Sequence, residues 1–266
     1  MLIIIMIVYF LVILFIYSYK ELFKLLNKKE LFNNKKNAYV TLVTNDLYVP
    51  GVIALGNSMR KQKCSFNKLC LYKNISNDSK EKIKEYFDLI SIEDLNKKNI
   101  KLNIKLDNYK YNIERFKDAF NKLYIWSLTN YNKIIYLDCD MIVYKNLDKL
   151  FTKPSLSAVQ GRPSFNSGLL VLEPNMNIFK DLNNLINEPK KWSEGNRDLL
   201  GKSINDQALL GYYFKKFNKL PRVYNVTRSY HDSINKPFIK HWNFKDKPWF
   251  KSYNREDKKE WYKYYN

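Results

Sequence analysis

Residues 133–143 read KIIYLDCDMIV and form the strongest strand signal in the chain. Two carboxylates, Asp138 and Asp140, interrupt this run where a buried strand needs apolar side chains. Two ionised carboxylates close together in a protein interior are costly unless a cation lies between them. Because residues i and i+2 of a strand point to one face, the pair suits a hard divalent ion. The alternative is that one Asp caps the next helix and the other is solvated.

The segments around this strand alternate between strands and helices. Strands are predicted at 38–43, 68–72 and 89–92, helices at 50–61, 78–87 and 115–131, and a loop at 96–112. Such alternation predicts an α/β fold with a mostly parallel sheet covered on both faces. Ligands of these sheets bind beyond the carboxyl ends of strands, where the strand order reverses. Polar residues occur at two such ends, at 44–46 and at 138–140, so the sequence places a candidate site there.

The first residues differ in composition from the rest of the chain. Residues 1–19 contain no charged side chain and, at about 1.5 Å per residue, just reach across a hydrocarbon core. They predict one N-terminal transmembrane anchor, followed by a basic juxtamembrane stalk at 20–37 that carries six lysines. The positive-inside rule then places the main domain, residues 38–250, on the cytoplasmic side of the membrane. Residues 251–266 are interpreted as a C-terminal tail.

The chain is strongly basic, with 46 Lys and Arg against 26 Asp and Glu and a formal charge of +20. Only seven of the basic residues are Arg, the side chain that nucleic-acid readers favour for bidentate contacts. A nucleic-acid partner is therefore not expected, and a membrane-tethered nucleic-acid binder is an alternative that rests on charge alone. The three cysteines form no CxxC pair, which argues against a disulfide framework and a cysteine zinc site.

A second polar group lies in the sequence HWNFKDKPW at residues 241–249. An imidazole from His241 that joined the two carboxylates would shift the expected ion from Mg²⁺ toward Mn²⁺. Lys247 would add a positive charge, and such a set around a divalent ion suits a diphosphate. Taken alone, His241 reads more readily as a hydrogen-bonded structural residue. Two further groups, at 166–168 and 205–207, read alone as an ordinary turn and a helix cap.

An ordered set of motifs runs from about residue 38 to residue 249. The motifs are TLVTNDLY at 41–48 with Gly51, KLYIWSLT at 122–129, Asp138-x-Asp140, Asn166-Ser167-Gly168, Asp206-Gln207, and His241 with Lys247-Pro248-Trp249. Together they resemble glycosyltransferase family 8, the glycogenin-like retaining transferases. The resemblance implies a GT-A fold, which is Rossmann-like, a UDP-sugar donor and Mn²⁺ as the cofactor, with Mg²⁺ as an alternative.

The resemblance also implies a role for individual residues. The residues that would hold the nucleotide are Leu42, Thr44, Asn45, Tyr48, Arg115 and Lys122. The metal ligands would be Asp138, Asp140 and His241, with Lys247 on the donor diphosphate. Those around the transferred sugar would be Asn166, Ser167, Gly168, Asp206 and Gln207. Two positions depart from the family pattern, because Phe244 replaces a usual Gly and Ser203 replaces a usual Asp.

These features predict a membrane-anchored, Mn²⁺-dependent glycosyltransferase. It would move a hexose, glucose or galactose, from a UDP-sugar to a hydroxyl of a glycan, protein or polyol acceptor with retention of configuration. Lys247 would stabilise the UDP leaving group, and Asp206 is the candidate nucleophile. The alternative is a sugar-nucleotide-binding membrane protein without catalytic activity, since both departures fall near the donor.

Overall fold

A computed structural model describes residues 14–20, 36–104, 118–162, 164–193, 197–198, 201–202, 204–230, 233–253 and 255–266. Most of the predicted anchor and stalk, together with Arg115 and Ser203, lies outside these ranges. Residues 14–20 are helical, and within the described ranges no helix combines the length and apolar character needed to cross a bilayer. The chain divides into two units, residues 1–36 and 37–266.

The second unit is built on a seven-stranded sheet with two smaller sheets beside it. The strands are β1 (Lys36–Val43), β2 (Asn67–Tyr72), β3 (Asp88–Ser91), β4 (Tyr131–Leu137), β5 (Met141–Val143), β6 (Ser157–Gln160), β7 (Phe165–Leu172), β8 (Arg197–Asp198), β9 (Gly201–Lys202), β10 (Asn218–Leu220), β11 (Val226–Thr227) and β12 (Ile239–His241). The main sheet has the order β10-β6-β7-β4-β1-β2-β3. β7 runs antiparallel to both its neighbours, whereas β1 with β2, β2 with β3 and β6 with β10 are parallel. The strand order reverses between β1 and β4.

Helices cover both faces of this sheet. They are α1 (Val49–Lys61), α2 (Asn77–Lys84), α3 (Ile92–Lys97), α4 (Met176–Leu185), α5 (Pro189–Ser193), α6 (Asp206–Tyr213) and α7 (Asp257–Tyr265), with 3-10 turns at 46–48, 118–127, 148–152, 222–224 and 228–230. α2 begins within one residue of its predicted start, where the Ser76 hydroxyl caps it by accepting the N–H of Ser79, and it ends at Lys84 rather than at residue 87.

Alternate residues of β4 divide the apolar core between the two faces. Ile134 and Tyr136 pack with the 118–127 segment, α4 and α6, while Ile135 and Leu137 pack with α1 and α2. This period of two is the pattern of a strand buried on both sides. The predicted α/β class is therefore confirmed.

The strand predicted at 133–143 is wrong in one respect, because the structure divides it in two. β4 ends at Leu137, a turn contains Asp138 and Asp140, and β5 leaves the main sheet to pair antiparallel with β12. The turn is held from both sheets, since the Asp138 N–H donates to Gly168 O at 2.8 Å and the Trp242 N–H to Asp140 O at 3.0 Å. The carboxylates therefore lie in a turn at the carboxyl end of β4 rather than inside a strand.

Two other elements differ from expectation. The helix predicted at 115–131 is a 3-10 segment from Asp118 to Ser127, and Tyr131 already belongs to β4. The predicted loop at 96–112 starts inside α3, and its residues 105–112 lie outside the described ranges.

The residues interpreted as a C-terminal tail form α7 and pack on the domain. The Trp261 side chain is fully buried and its ring lies 5.2 Å from that of Trp249. The Asn57 amide donates to Tyr264 O at 3.0 Å, which connects α1 with the end of α7. α7 therefore belongs to the packed domain and does not form a separate tail after residue 250.

Candidate active site

A cleft of about 250 Å³ opens beyond the carboxyl ends of β1 and β4. Its lining includes Leu42, Thr44, Asn45 and Tyr48 from the first motif and Lys122, Asp138, Asp140 and Asp206 from the later ones. The cleft thus lies at the reversal of strand order, where α/β sheets bind ligands. The structure brings together the two polar groups that the sequence placed at these strand ends.

The predicted nucleotide residues lie on one side of this cleft. Asn45 uses its side-chain oxygen to accept the N–H of Leu47 and so caps the 46–48 turn. That turn carries Tyr48, whose ring meets the edge of Trp249 at a centroid distance of 6.0 Å. The cap therefore fixes the entry to α1 and the position of an aromatic ring beside the cleft.

Asp138 and Asp140, which line the cleft, meet His241 in a group that could hold a metal ion. One ligand atom from each lies within 4.8 Å of the others. His241 Nε2 is 3.1 Å from Asp140 Oδ1 and 3.8 Å from Asp138 Oδ2. Neighbouring ligands of an octahedral ion with bonds of about 2.1 Å lie about 3 Å apart. The spacing and the mixed oxygen and nitrogen donors therefore fit an ion such as Mn²⁺.

Gly168 is required for this cluster to close. A Cβ at this position would lie 2.5 Å from His241 Cε1 and 2.9 Å from Asp138 Oδ2. Both distances are far below a van der Waals contact, and both neighbours are candidate ligands. The glycine of the 166–168 motif therefore lets β7 approach the metal cluster.

Lys247 is almost completely buried and contacts Asp140 directly. Its ammonium forms an ion pair with Asp140 Oδ2 and donates to Trp242 O at 2.7 Å. Burial alone would raise the pKa of Asp140, but Lys247 and His241 outweigh it and hold that pKa well below its usual range. The structure thus places the predicted diphosphate ligand beside a candidate metal ligand.

A second buried ion pair lies on the other side of the cluster. Lys122 Nζ is 2.5 Å from Asp206 Oδ2 and 3.1 Å from Asp138 Oδ1. The Ser167 hydroxyl also donates to Asp206 Oδ2, at 2.8 Å. Burial alone would lower the pKa of Lys122, yet the two carboxylates raise it above its ordinary value. Lys122 is therefore a fixed cation shared between the metal cluster and Asp206.

A second opening, of about 210 Å³, adjoins the same carboxylates from the side of the 166–168 motif. Its lining includes Asn166, Ser167, Gly168 and Gln207 together with Asp138, Asp140, Asp206 and His241. Gln207 Oε1 accepts the Ser167 N–H at 3.3 Å, and Gln207 Nε2 donates to Arg162 O at 3.2 Å. All of the predicted site residues within the described ranges thus surround one centre, whereas Arg115 lies outside those ranges.

Sequence reasoning missed Asn225 and Tyr136. Asn225 is 2% exposed and lies 3.0 Å from His241 Nδ1, and the Tyr136 hydroxyl donates to Asp138 Oδ1 at 2.8 Å. Tyr136 looks like an ordinary core residue of β4. Asn225 is one of many asparagines in the chain, and its only signal was a possible glycosylation sequence.

Comparison with known proteins identifies the family. The family description Glycosyl transferase family 8 matches residues 39–159. Glycogenin-1 of Caenorhabditis elegans is 34% identical over 202 residues, which are 71% of this chain and 43% of that protein. Glycogenin-1 of Mus musculus is 31% identical over 241 residues, which are 83% of this chain and 68% of that protein.

Solved structures show the same architecture. The galactosyltransferase LgtC, crystallised with donor and acceptor sugar analogues, superposes with a TM-score of 0.63 at 14% identity over 86% of this chain and 95% of that one. The expected GT-A-like fold with a mostly parallel central sheet is thereby confirmed. Family match, relatives and fold agree, and the chain belongs to glycosyltransferase family 8.

Proposed function

We propose that the chain transfers a hexose from a UDP-sugar to an acceptor hydroxyl, with retention of configuration and with Mn²⁺ as its cofactor. The carrying observation is the cluster of Asp138, Asp140 and His241: its two carboxylates line both openings, and His241 lines the second. We assign the first opening to the nucleotide and the second to the sugar. A metal ion in the cluster would neutralise the diphosphate as its negative charge grows.

The chain's own cations complete this electrostatic arrangement. Lys247 and Lys122 are both buried, and they pair with different carboxylates of the cluster, Asp140 and Asp138 respectively. Fixed positive charges in a site that excludes water stabilise a leaving group without having to reorganise. Lys247 would bind the diphosphate, while Lys122 would orient Asp206.

Asp206 is the proposed group that faces the transferred sugar. Lys122 and Ser167 both engage Asp206 Oδ2, and no described residue donates to Oδ1. Oδ1 is thus the oxygen available to the sugar, either as a nucleophile or as a hydrogen-bond acceptor. Asn166 and Gln207, which line the same opening, would bind the sugar hydroxyls.

Glucose and galactose are the proposed donor sugars. Two of the relatives are named glycogenin-1, and one structural neighbour is named a galactosyltransferase. A glycan, a protein or a polyol remains the proposed acceptor class. The inactive-protein alternative is less well supported, because the metal cluster, both lysines and Asp206 are all present with mutually consistent geometry.

The test is release of UDP by the purified chain from UDP-glucose and from UDP-galactose, with Mn²⁺, with Mg²⁺ and with excess chelator. We expect turnover with at least one donor and Mn²⁺, and none with chelator. Binding of UDP without any turnover of either sugar, across glycan, protein and polyol acceptors, would favour the inactive binder instead.

The membrane anchor at 1–19 and the cytoplasmic orientation are a further part of the proposal. They are supported by the uncharged first residues and the six stalk lysines. Protease added to sealed microsomes is expected to digest the domain. Asn74 and Asn77 are exposed possible glycosylation sites, whereas Asn225 is buried. A protected domain with glycans at Asn74 or Asn77 would contradict the orientation.

A further inference from the structure

Asn225 lies behind His241, on the side away from the carboxylates. It immediately precedes β11, which pairs in parallel with β12, and Thr227 lies opposite His241 in that pairing. The Asn225 side chain is buried and spans the gap between His241 and Asn166. Its two ends therefore contact a candidate metal ligand and a residue of the 166–168 motif.

The orientation of this amide follows from a chain of hydrogen bonds that starts at a backbone donor. The Gly168 N–H, which can only donate, lies 3.0 Å from Asn166 Oδ1. Asn225 Nδ2 donates to the same oxygen at 2.8 Å. The oxygen of Asn225 must then face His241 Nδ1, from which it lies 3.0 Å away. An acceptor at that distance requires a proton on Nδ1.

The proton on Nδ1 decides what Nε2 can do. A neutral imidazole carries one proton, so Nε2 keeps its lone pair. Nε2 faces Asp140 Oδ1 and Asp138 Oδ2, the two carboxylate oxygens of the metal cluster. A bare Nδ1 would leave two buried acceptors, Nδ1 and Asn225 Oδ1, facing each other without a proton, which is costly. Asp140 Oδ1, 3.1 Å from Nε2, is an acceptor as well, so Nε2 gives up any proton it carries only where an ion takes that proton's place.

We propose that Asn225 is a positioning residue for the metal centre: oriented by Asn166, it holds His241 in the tautomer that directs a free Nε2 lone pair at the ion. The proposal rests on the proposed function in one respect, namely that the cluster binds a divalent cation. Partners of this kind fix both the tautomer and the ring plane of metal-binding histidines.

The first experiment reads the tautomer directly in the full chain without metal. Two-bond ¹H–¹⁵N correlation spectra distinguish the two tautomers, and only two histidines contribute signals. His231→Gln assigns the signals of His241. We expect Nδ1 to carry a proton in the wild type, and an Nδ1 without a proton there would overturn the proposal.

The second experiment compares Mn²⁺ affinity by isothermal titration and electron paramagnetic resonance. Asn225→Leu removes the acceptor at similar volume and should weaken Mn²⁺ binding by about 10- to 100-fold, as loss of such partners does elsewhere. It should also populate the Nε2–H tautomer. The matched control is Thr227→Val, which changes the β11 residue two positions after Asn225 and should bind Mn²⁺ like the wild type. Unchanged affinity in Asn225→Leu would overturn the proposal.

Two further comparisons keep the result decisive. If Asn225→Leu does not fold, Asn225→Asp takes its place, because a carboxylate accepts the same bond and should keep the proton on Nδ1. An Nδ1 without a proton in that variant would overturn the proposal. If the wild type binds no Mn²⁺, the proposed cofactor is wrong, whereas the tautomer of the metal-free protein still reports on Asn225 alone.

Discussion

Lys122 Nζ lies 2.5 Å from Asp206 Oδ2, and both side chains are buried although 84 residues separate them in the chain. The pair joins the 3-10 segment at 118–127 to the first residue of α6. Removal of one partner from a buried ion pair leaves an uncompensated charge in the interior. The stability of the domain and the geometry of the site therefore depend on the same contact.

Lys122→Met should destabilise the domain by about 3 kcal/mol, because Asp206 and Asp138 lose their shared cation. Urea unfolding at neutral pH measures the change. Lys82→Met is the matched control, since Lys82 pairs with Asp78 on an exposed helix surface and should have little effect. Equal unfolding midpoints for the two variants would show that the buried pair stabilises the domain no more than the exposed pair does.

Gly168→Ala should weaken Mn²⁺ binding strongly, because the added Cβ would lie 2.5 Å from His241 Cε1. Titration with Mn²⁺ measures the loss. Gly211→Ala is the control, as its Cβ would come no nearer than 3.1 Å to the Ser164 side chain and Ala favours the helix. Wild-type Mn²⁺ affinity in Gly168→Ala would refute the close approach of β7 to the cluster.

Lys247→Ala should lower kcat about 100-fold while UDP affinity changes much less, because a charge that stabilises the leaving diphosphate acts on the transition state. Steady-state kinetics and UDP titration separate the two effects. The exposed Lys245 of the same loop provides the control variant Lys245→Ala. A raised KM with an unchanged kcat would limit Lys247 to ground-state binding.

Asp148 should give a pH dependence of stability that is unrelated to the active site. Burial opposes its ionisation, but hydrogen bonds from Tyr39, Ser65 and Asn146 outweigh burial and lower the pKa of its carboxyl from 3.8. A depressed folded-state pKa contributes stability above the unfolded value and loses it as the pH falls. Asp148→Asn should therefore be less stable than the wild type at pH 7, with the difference shrinking below about pH 4. Thermal unfolding at several pH values measures this, and a constant difference would contradict it.

Hydrophobic patterns predicted the first strands and helices closely. β1 and α1 match to within two residues, because each has a local signal: a β-branched run in one and Pro50 near the start of the other. The break at Asp138 was not foreseen, because β5 owes its direction to pairing with β12, nearly a hundred residues later in the chain. A local pattern carries no information about such a partner.

The site residues were predicted in the same uneven way. The two carboxylates stood out as charges in an apolar run, and His241 was a candidate third ligand that read alone more readily as a structural residue. Lys122 and Asp206 acquired their roles only through the family resemblance. Neither the apolar pattern nor the family resemblance indicated Asn225. Its proposed role depends on which atom of its amide faces His241, and the Gly168 N–H of β7 determines that orientation through Asn166.

The most direct measurement of the central claim is metal-dependent turnover of a UDP-sugar. With Mn²⁺, the wild type should release UDP from UDP-glucose or UDP-galactose, and Asp138→Asn and Asp140→Asn should lose that activity while unfolding cooperatively in the absence of metal. Asp78→Asn, an exposed carboxylate on α2, should keep full activity. Full turnover in excess chelator, or wild-type rates in both cluster variants, would contradict the metal-dependent mechanism.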